Sequence, residues 1–331
     1  MSDLLARLDA GPVICAEGYL FALETRGYLS AGPYVPEAVI DHPEIVEQVH
    51  RDFVHAGSDI VPALTFYADR DKLEALGRKD DLEEMNRQAL AIAVRVARET
   101  GTIAAGNICN TRHNYEPTAQ TEKAVRAEFD ERLAWAVDAG VDHIIGETFY
   151  YLHEARIALA AIRATGLPAV INLAIPASGL TEDGVDPAEA ARQLEDEGAA
   201  VVGLNCFRGP ATMWPLVSRV REAVSCHVAA LPVAYRTTPA EPTIFALTDS
   251  SCPCSTPTGR PFPVALDPFR CTRYELASFA RDCICKGINF VGICCGGEPA
   301  QIRAIAEELG GRPPATRYSP NMALQPERPG W

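Results

Sequence analysis

The chain has 331 residues, of which 47% are hydrophobic, and a formal net charge of −14 at pH 7. A surface this acidic repels phosphate backbones, which excludes nucleic acid as an expected partner. The N-terminal stretch MSDLLARLDAGPV lacks the basic start and apolar run of a signal peptide, and no window approaches the roughly 20 apolar residues of a membrane span. The sequence therefore predicts a soluble, cytoplasmic protein without membrane contact.

Eight short apolar runs follow one another along the chain, and most are continuous rather than alternating in polarity. Continuous runs are typical of parallel strands that are covered on both faces. Helical patterns separate them; one begins at Pro43, and another begins at Pro187 behind a capping Asp186. The eight runs span residues 12–19, 59–67, 102–109, 142–149, 168–175, 200–206, 227–235 and 289–297.

This alternation of strands and helices predicts an α/β fold, a single (β/α)8 TIM barrel that occupies residues 1–331 as one domain. Its core spans about residues 10–310, and residues 311–331 form a short irregular tail. A doubly wound open sheet is the alternative, but no glycine-rich phosphate-binding loop supports it. The segment 236–272, which follows the seventh run, is rich in Pro, Ser and Thr and is expected to form a long lid or binding loop.

Three cysteines stand where two of these runs end. Cys206 closes the sixth run, and the adjacent pair Cys294 and Cys295 lies near the end of the eighth, directly before Gly296 and Gly297. Barrel active sites lie at the carboxyl ends of the strands, so three thiols can meet at one mouth if the glycines let the backbone turn. Three sulfurs suit Zn²⁺ and leave a fourth position for water or substrate. The alternative is that all three are small, buried apolar side chains.

The other cysteines carry weaker signals. Cys252 and Cys254 form a C-x-C pair inside the loop and could chelate a metal, although no partner pair stands nearby. Cys283 and Cys285 point in different directions on a helical pattern and are expected in the core or on the surface. The remaining four are interpreted as packing residues: Cys15, Cys109, Cys226 and Cys271.

The runs VVGLNC and VGICCGGEP resemble the zinc motifs of the homocysteine S-methyltransferase family. The stretches FALETRGYLSAGPYVPEAVIDHPE and TFYADRDKL are similar to its betaine–homocysteine methyltransferase branch. The resemblance implies a zinc-containing (β/α)8 barrel that moves a methyl group from an onium donor to the thiol of homocysteine, giving methionine. It also implies that Cys206, Cys294 and Cys295 hold Zn²⁺ as the cofactor.

The same resemblance implies which residues bind the substrates. Glu147 matches a carboxylate that binds the amino group of homocysteine; the alternative is a solvated acid at a strand end. Tyr67 matches a tyrosine near the zinc, and Tyr34 matches an aromatic position of the donor pocket. The alternative for the aromatic residues is ordinary core packing. Further candidates for substrate binding are Phe66, Tyr19 and Asn205.

Three features depart from the family pattern. Ala16 stands where the family usually has an aspartate, and Glu17 follows it. An extended strand turns Glu17 to the other face, so its contact with the amino group is expected only if the strand end twists. Thr148 stands where the betaine branch carries an aromatic residue, which alters the donor pocket. The long C-terminal arm that builds oligomers in the animal enzymes is not expected here, so a homo-oligomer is left open.

The resemblance thus implies an S-methyltransferase whose partners are two small molecules, homocysteine and an onium methyl donor. The donor is open among glycine betaine, proline betaine, dimethylsulfoniopropionate and S-methylmethionine. One alternative is a methyltransferase component that exchanges methyl groups with a separate corrinoid protein. Another is a non-catalytic barrel that binds zinc or thiols.

Overall fold

Eight parallel strands form a closed barrel in the computed structural model, which describes residues 4–111, 116–250, 259–321 and 324. The strands are Val13–Ala16 (β1), Ile60–Pro62 (β2), Ile103–Cys109 (β3), His143–Phe149 (β4), Ala169–Leu173 (β5), Val201–Asn205 (β6), His227–Leu231 (β7) and Phe290–Ile293 (β8). Each strand pairs with its successor, and β8 also pairs with β1, so that Val13 lies opposite Phe290. The closure confirms the predicted (β/α)8 barrel and excludes the doubly wound open sheet.

Helices cover the outside of the barrel, and two of them begin as the sequence predicts. Pro43 starts one helix, and Asp186 caps another by accepting a hydrogen bond from the backbone N–H of Ala188 at 3.0 Å. The described helices are Leu4–Ala10 (α1), Tyr19–Thr25 (α2), Ala38–Asp41 (α3), Pro43–Ala56 (α4), Arg70–Ala75 (α5), Leu82–Thr100 (α6), Ala119–Ala139 (α7), Leu152–Ala164 (α8), Pro187–Asp196 (α9), Pro210–Ala223 (α10), Arg273–Cys285 (α11) and Pro299–Glu308 (α12).

One buried cluster joins side chains from all eight strands, which can meet only inside the barrel. Alternate residues of a strand share a face, so the same inward face continues from these apolar residues toward the carboxyl end of each strand. On β3 it runs from Ala105 to Asn107, and on β4 from Ile145 to Glu147. The interior of the barrel therefore holds apolar side chains in its middle and the polar side chains of Asn107 and Glu147 toward the carboxyl ends of the strands. The apolar members include Val13, Cys15, Ile60, Ile103, Ala105, Ile145, Val170, Val201, Ala229 and Phe290.

Three strands end four or five residues before their apolar runs do. β2 stops at Pro62, β7 at Leu231 and β8 at Ile293, whereas the runs continue for several residues. The backbone beyond these points has left β geometry, with φ at +57° at Tyr67 and +77° at Gly296. These segments remain apolar because they line the mouth of the barrel, and hydrophobicity alone does not distinguish such burial from strand pairing.

The tail and the long loop are described in part. Pro314–Tyr318 forms a short 3-10 helix, and the Arg303 guanidinium donates to the carbonyl of Tyr318 at 3.2 Å, so this part of the tail packs on α12. Cys252 and Cys254 lie outside the described residues, so their C-x-C chelation stays a prediction. Every helix of the described ranges is too short or too polar to cross a membrane.

A buried histidine makes the barrel sensitive to acid. His143 is fully buried at the start of β4, and neither of its ring nitrogens has a hydrogen-bond partner. Burial lowers its pKa from 6.5 to about 4, because the charged ring would lose its hydration. The folded protein therefore holds this ring neutral at pH values where the unfolded chain protonates it.

The variant His143→Leu should reduce the loss of stability in acid. Because the folded-state pKa is lowered, the contribution of His143 is intact above about pH 6.5 and is lost as the pH falls toward 4. Removing the ring should lower the slope of unfolding free energy against pH in this window by up to about 1.4 kcal/mol per pH unit. Urea unfolding at several pH values measures the slope. The exposed His55→Leu control should keep the wild-type slope, and an unchanged slope in His143→Leu contradicts the prediction.

Candidate metal and substrate site

Three thiols converge at the carboxyl end of the barrel. Cys206 Sγ lies 3.5 Å from Cys295 Sγ, and Cys294 Sγ lies 4.0 Å from Cys295 Sγ. All three sulfur atoms are within 4.8 Å of one another. The structure thus brings together the three cysteines that the sequence analysis identified as metal candidates. They come from two strand ends, and Cys206 and Cys294 are 88 residues apart in the sequence.

Main-chain hydrogen bonds to the end of β7 hold two of these cysteines in place. The Cys206 N–H donates to the carbonyl of Leu231 at 3.0 Å, and the Cys294 N–H donates to the carbonyl of Pro232 at 2.9 Å. Cys206 has a φ of +55°, so the chain leaves β6 at this residue. The chain after β6 and the chain after β8 are therefore bonded to the consecutive carbonyls of Leu231 and Pro232. These two bonds fix the separation of Cys206 and Cys294.

The adjacent cysteines lie in a tight turn beyond β8. The N–H of Gly297 donates to the carbonyl of Cys294 at 3.1 Å, and Gly296 has a φ of +77°. A Cβ on Gly296 would lie 2.4 Å from atoms of the Tyr235 ring. A glycine at position 296 therefore permits both the turn and the close approach of the Tyr235 ring. This agrees with the prediction that the glycines after the cysteine pair let the backbone leave strand geometry.

The geometry and chemistry of the three thiols fit a divalent metal ion. Tetrahedral zinc with Zn–S bonds of about 2.3 Å separates its sulfur ligands by about 3.8 Å, and the two measured separations lie on either side of that value. Hydrogen bonds within the cluster hold the pKa of the Cys206 thiol well below its ordinary value and the pKa values of Cys294 and Cys295 well above it. Thiolate is the form that binds metals, so this cluster could hold a metal ion.

Glu147 lies beside the thiols and is held by two amides. Its Oε1 accepts a hydrogen bond from Asn107 Nδ2 at 2.5 Å, and its Oε2 accepts from Asn205 Nδ2 at 2.8 Å. Only 5% of Glu147 is exposed, and burial raises its pKa to about 7. This acid is therefore not a solvated strand-end residue, and its two oxygens keep lone pairs for another donor.

Glu17 faces the same site, so the expectation that an extended strand turns it away is wrong. Its N–H donates to the carbonyl of Ile293 at 2.9 Å, which continues the β1–β8 ladder. Cys15, two residues earlier, already lies inside the barrel, so Glu17 shares its inward face and Ala16 points outward. Glu17 Oε2 accepts from Asn205 Nδ2 at 3.2 Å. Burial, and then repulsion from Glu147, raise the pKa of Glu17 well above its ordinary value.

The predicted substrate residue Asn205 acts between the two acids. It is fully buried, and its Nδ2 lies within hydrogen-bond distance of Glu17, Glu147 and Thr148 Oγ1. Its Oδ1 accepts from the Thr148 N–H at 3.0 Å. The contacts show Asn205 orienting the carboxylates, whereas its direct contact with a substrate stays a prediction.

Phe66 and Tyr67 occupy the turn after β2, on the rim of this cavity. Phe66 lines the cavity, and its ring centroid lies 4.1 Å from that of Tyr67. Tyr67 Oη lies 3.3 Å from Tyr150 Oη, and the Tyr67 N–H donates to Cys109 Sγ at 3.4 Å. Cys109 is therefore a packing residue that also fixes this turn. The contact of Tyr67 with a metal position stays a prediction.

Tyr34 lies behind the cavity wall, against the ring of Phe21. Its ring stacks on Phe21 with centroids 5.2 Å apart and planes 15° apart, and Phe21 lines the cavity. Tyr19 also lines the cavity, but its ring packs edge-on against His50 and Phe53, with centroids 4.5 and 5.4 Å away. Tyr34 is not among the described residues that line the cavity, so its contact with a donor stays a prediction, whereas Tyr19 contributes to both the core and the cavity.

Asn107 and Phe21 are among the cavity residues that were not identified from the sequence. Asn107 is the lone amide of the apolar run 102–109, and that isolated polarity is a signal that could have identified it. Phe21 lies on α2 in a stretch that reads as ordinary helix, and no local signal distinguishes it. Both depend on contacts between distant elements. The apolar part of the cavity wall is completed by Leu20, Pro62, Ala63 and Leu64.

Comparison with known proteins agrees with this geometry. The family model described as homocysteine S-methyltransferase matches residues 18–309. Betaine–homocysteine S-methyltransferase 1 of Danio rerio is 39% identical over 315 residues, which covers 92% of this chain and 75% of the relative. S-methylmethionine–homocysteine S-methyltransferase BHMT2 of Pongo abelii is 33% identical over 325 residues, with coverage of 95% and 84%.

The fold also matches a solved structure. The homocysteine methyltransferase MmuM from Escherichia coli, in its metallated form, superposes with a TM-score of 0.69 over 91% of this chain and 98% of that one. At 17% identity this likeness concerns the fold alone.

The variant Gly296→Ala should disturb the thiol cluster more than an ordinary glycine replacement. Both Gly296 and Gly310 have positive φ, but a methyl group on Gly310 meets open space, whereas on Gly296 it meets the Tyr235 ring. Gly310→Ala should cost about 1 kcal/mol of unfolding free energy for its backbone alone. Gly296→Ala should cost about 1–3 kcal/mol more because of overpacking. Urea unfolding measures both, and equal losses in the two variants contradict the assigned contact.

Proposed function

Because the chain belongs to the homocysteine S-methyltransferase family, we propose that it moves a methyl group from a betaine-like onium donor to the thiol of homocysteine, giving methionine. Cys206, Cys294 and Cys295 would hold the zinc ion that this reaction uses. The observation that carries the proposal is the convergence of these three thiols beside the carboxyl groups of Glu17 and Glu147 in one cavity. The described cysteines are all free thiols, which supports a reducing, cytoplasmic location.

The chemistry requires an acceptor sulfur in its thiolate form. When bound, zinc lowers the pKa of a coordinated thiol, so that the sulfur is a nucleophile near neutral pH. The side chains of the barrel then hold the acceptor in line with the methyl carbon of the donor, and this alignment contributes much of the rate. No side chain needs to act as an acid or base on the methyl group.

The carboxylate pair binds the amino group of homocysteine. Glu17 Oε1 and Asn107 Oδ1 are buried acceptors without a hydrogen-bond partner, and oxygens of Glu17 and Glu147 lie within 4.8 Å of Cys294 Sγ. An ammonium group supplies three donors and a positive charge, which is what these oxygens lack. Asn205 holds the two carboxylates apart and in orientation through its amide nitrogen.

The aromatic and aliphatic wall receives the onium head of the donor. Phe66 and Phe21 line the cavity, and Tyr34 stacks behind Phe21. Aromatic faces attract a cation, while the aliphatic residues exclude the water that would stabilise the separated ions. One relative is named for betaine and another for S-methylmethionine, so an ammonium and a sulfonium donor are both candidates for this wall.

Replacing Cys206 with Ala should abolish zinc retention and methyl transfer together. Loss of a residue that only orients a metal ligand already costs about 10–100-fold, so loss of a ligand should cost at least about 100-fold. Zinc per chain is measured by mass spectrometry of the metal, and methionine is measured after incubation with homocysteine and a panel of onium donors. Cys283→Ala, a buried cysteine of α11, is the matched control and should retain both properties.

The outcomes separate the alternatives. An active, zinc-free Cys206→Ala protein contradicts the proposal. Zinc binding by the wild type without methyl transfer from any donor favours a non-catalytic thiol-binding barrel. Transfer that starts only when a corrinoid protein is added favours a component of a larger methyltransferase system.

The variant Phe66→Leu should weaken donor binding and leave acceptor binding nearly unchanged. Loss of a cation–π contact of about 0.5–2 kcal/mol corresponds to a rise in the donor KM of about 2- to 30-fold. The KM of homocysteine should change less, because the ring of Phe66 offers no hydrogen bond to the amino-acid groups of the acceptor. Phe66→Tyr keeps an aromatic face and should show a smaller effect. Equal donor KM values for the Leu and Tyr variants are inconsistent with a cation–π contact.

A further inference from the structure

A second set of ligand atoms shares one cysteine with the thiol cluster. Oxygens of Glu17 and Glu147 and the sulfur of Cys294 all lie within 4.8 Å of one another. Glu147 and Cys294 are buried, and Glu17 is partly buried. Cys294 therefore belongs to two groups of ligand atoms. One is the all-sulfur cluster that it forms with Cys206 and Cys295, and the other is the oxygen-rich group that it forms with Glu17 and Glu147.

The oxygen-rich group has more acceptors than donors. Asn107 is 7% exposed, and neither its Oδ1 nor the buried Oε1 of Glu17 has a hydrogen-bond partner among the residues that the structure describes. Buried acceptors without partners are costly, so this cradle favours a ligand that is positively charged. Carboxylate and amide oxygens together with a thiolate form a ligand set that zinc and cobalt accept.

The two groups can share a ligand. Cys294 Sγ belongs to both sets of close ligand atoms, so a sulfur that binds an ion in the thiol cluster can also bridge to an ion held by Glu17 and Glu147.

We propose that Glu17, Glu147 and Cys294 form a second divalent-cation site, which fills after the thiol cluster and shares Cys294 with it as a bridging ligand. The all-sulfur cluster fills first because thiolate is the softer and stronger ligand for zinc-like ions. The second ion occupies the place of the acceptor's ammonium group, so excess metal inhibits the enzyme by competing with the amino acid. The binding is independent of the reaction, whereas the competition rests on the proposed function.

Stepwise titration with Co²⁺ under anaerobic, reducing conditions tests this inference. The metal-free wild type should bind a first ion with a thiolate-to-cobalt absorption band and a second ion, at least about tenfold more weakly, that perturbs that band through the shared sulfur. Equilibrium dialysis at fixed free Zn²⁺ should give two ions per chain at saturation. In Glu17→Gln the second affinity should fall at least tenfold while the first-ion spectrum, which also reports correct folding, is retained.

The control is Glu24→Gln, which removes a partly buried carboxylate of α2 outside the cradle and should bind two ions as the wild type does. A wild type that binds one ion and still forms methionine overturns the inference and leaves the proposed function intact. Equal second affinities in Glu17→Gln and Glu24→Gln overturn it as well, because they indicate adsorption to the acidic surface. Absence of the thiolate band in the wild type overturns the proposed function and the second site together.

With free Zn²⁺ held by a metal buffer, the competition is read from steady-state kinetics. Excess zinc should raise the apparent KM of homocysteine and leave kcat unchanged, because enough acceptor displaces the second ion. A fall in kcat without a change in KM overturns the competitive arrangement.

Discussion

The pairing of β8 with both β1 and β7 is the constraint on which the site depends. On one side, the Glu17 N–H bonds to the carbonyl of Ile293, which places the first carboxylate beside the thiol pair. On the other side, β7 lies between β8 and β6, and its consecutive carbonyls at Leu231 and Pro232 hold Cys206 and Cys294. Residues from opposite ends of the chain therefore meet only because the barrel closes. An open sheet would leave Glu17 and the thiols at different edges.

Backbone strain accompanies this arrangement. In the described part of the chain, the non-glycine residues with positive φ are Tyr34, Tyr67, Thr148, Cys206 and Phe207. Left-handed backbone costs about 1–2 kcal/mol for such a residue, so each must be held by its surroundings. Hydrogen bonds provide this for Cys206, through Leu231, and for Thr148, through Asn205. All five lie at or next to the mouth of the barrel, where strand ends turn sharply to aim side chains at one centre.

The sequence is sufficient for features that repeat or cluster locally, and insufficient for features that depend on register. Continuous apolar runs predicted all eight strands, and two neighbouring cysteines before two glycines predicted the metal candidates. The inward direction of Glu17 was not predictable, because Ile14 and Cys15 are both buried and the run does not reveal which face is inside. The contact between Asn107 and Glu147 was not predictable from the sequence, because Glu147 lies on β4 and only the β3–β4 register brings the two side chains together.

The charge distribution of the cavity explains why an onium donor suits it. Two carboxyl groups and three thiols line the cavity, and none of its described lining residues is basic, so its negative potential attracts a methyl group carried on a permanent cation. Methyl transfer removes that permanent charge: a sulfonium becomes a neutral thioether, and a quaternary ammonium becomes a tertiary amine that is charged only when protonated. The attraction that holds the donor therefore weakens when the methyl group leaves. The same negative charge that favours binding of the donor thus also favours release of its product.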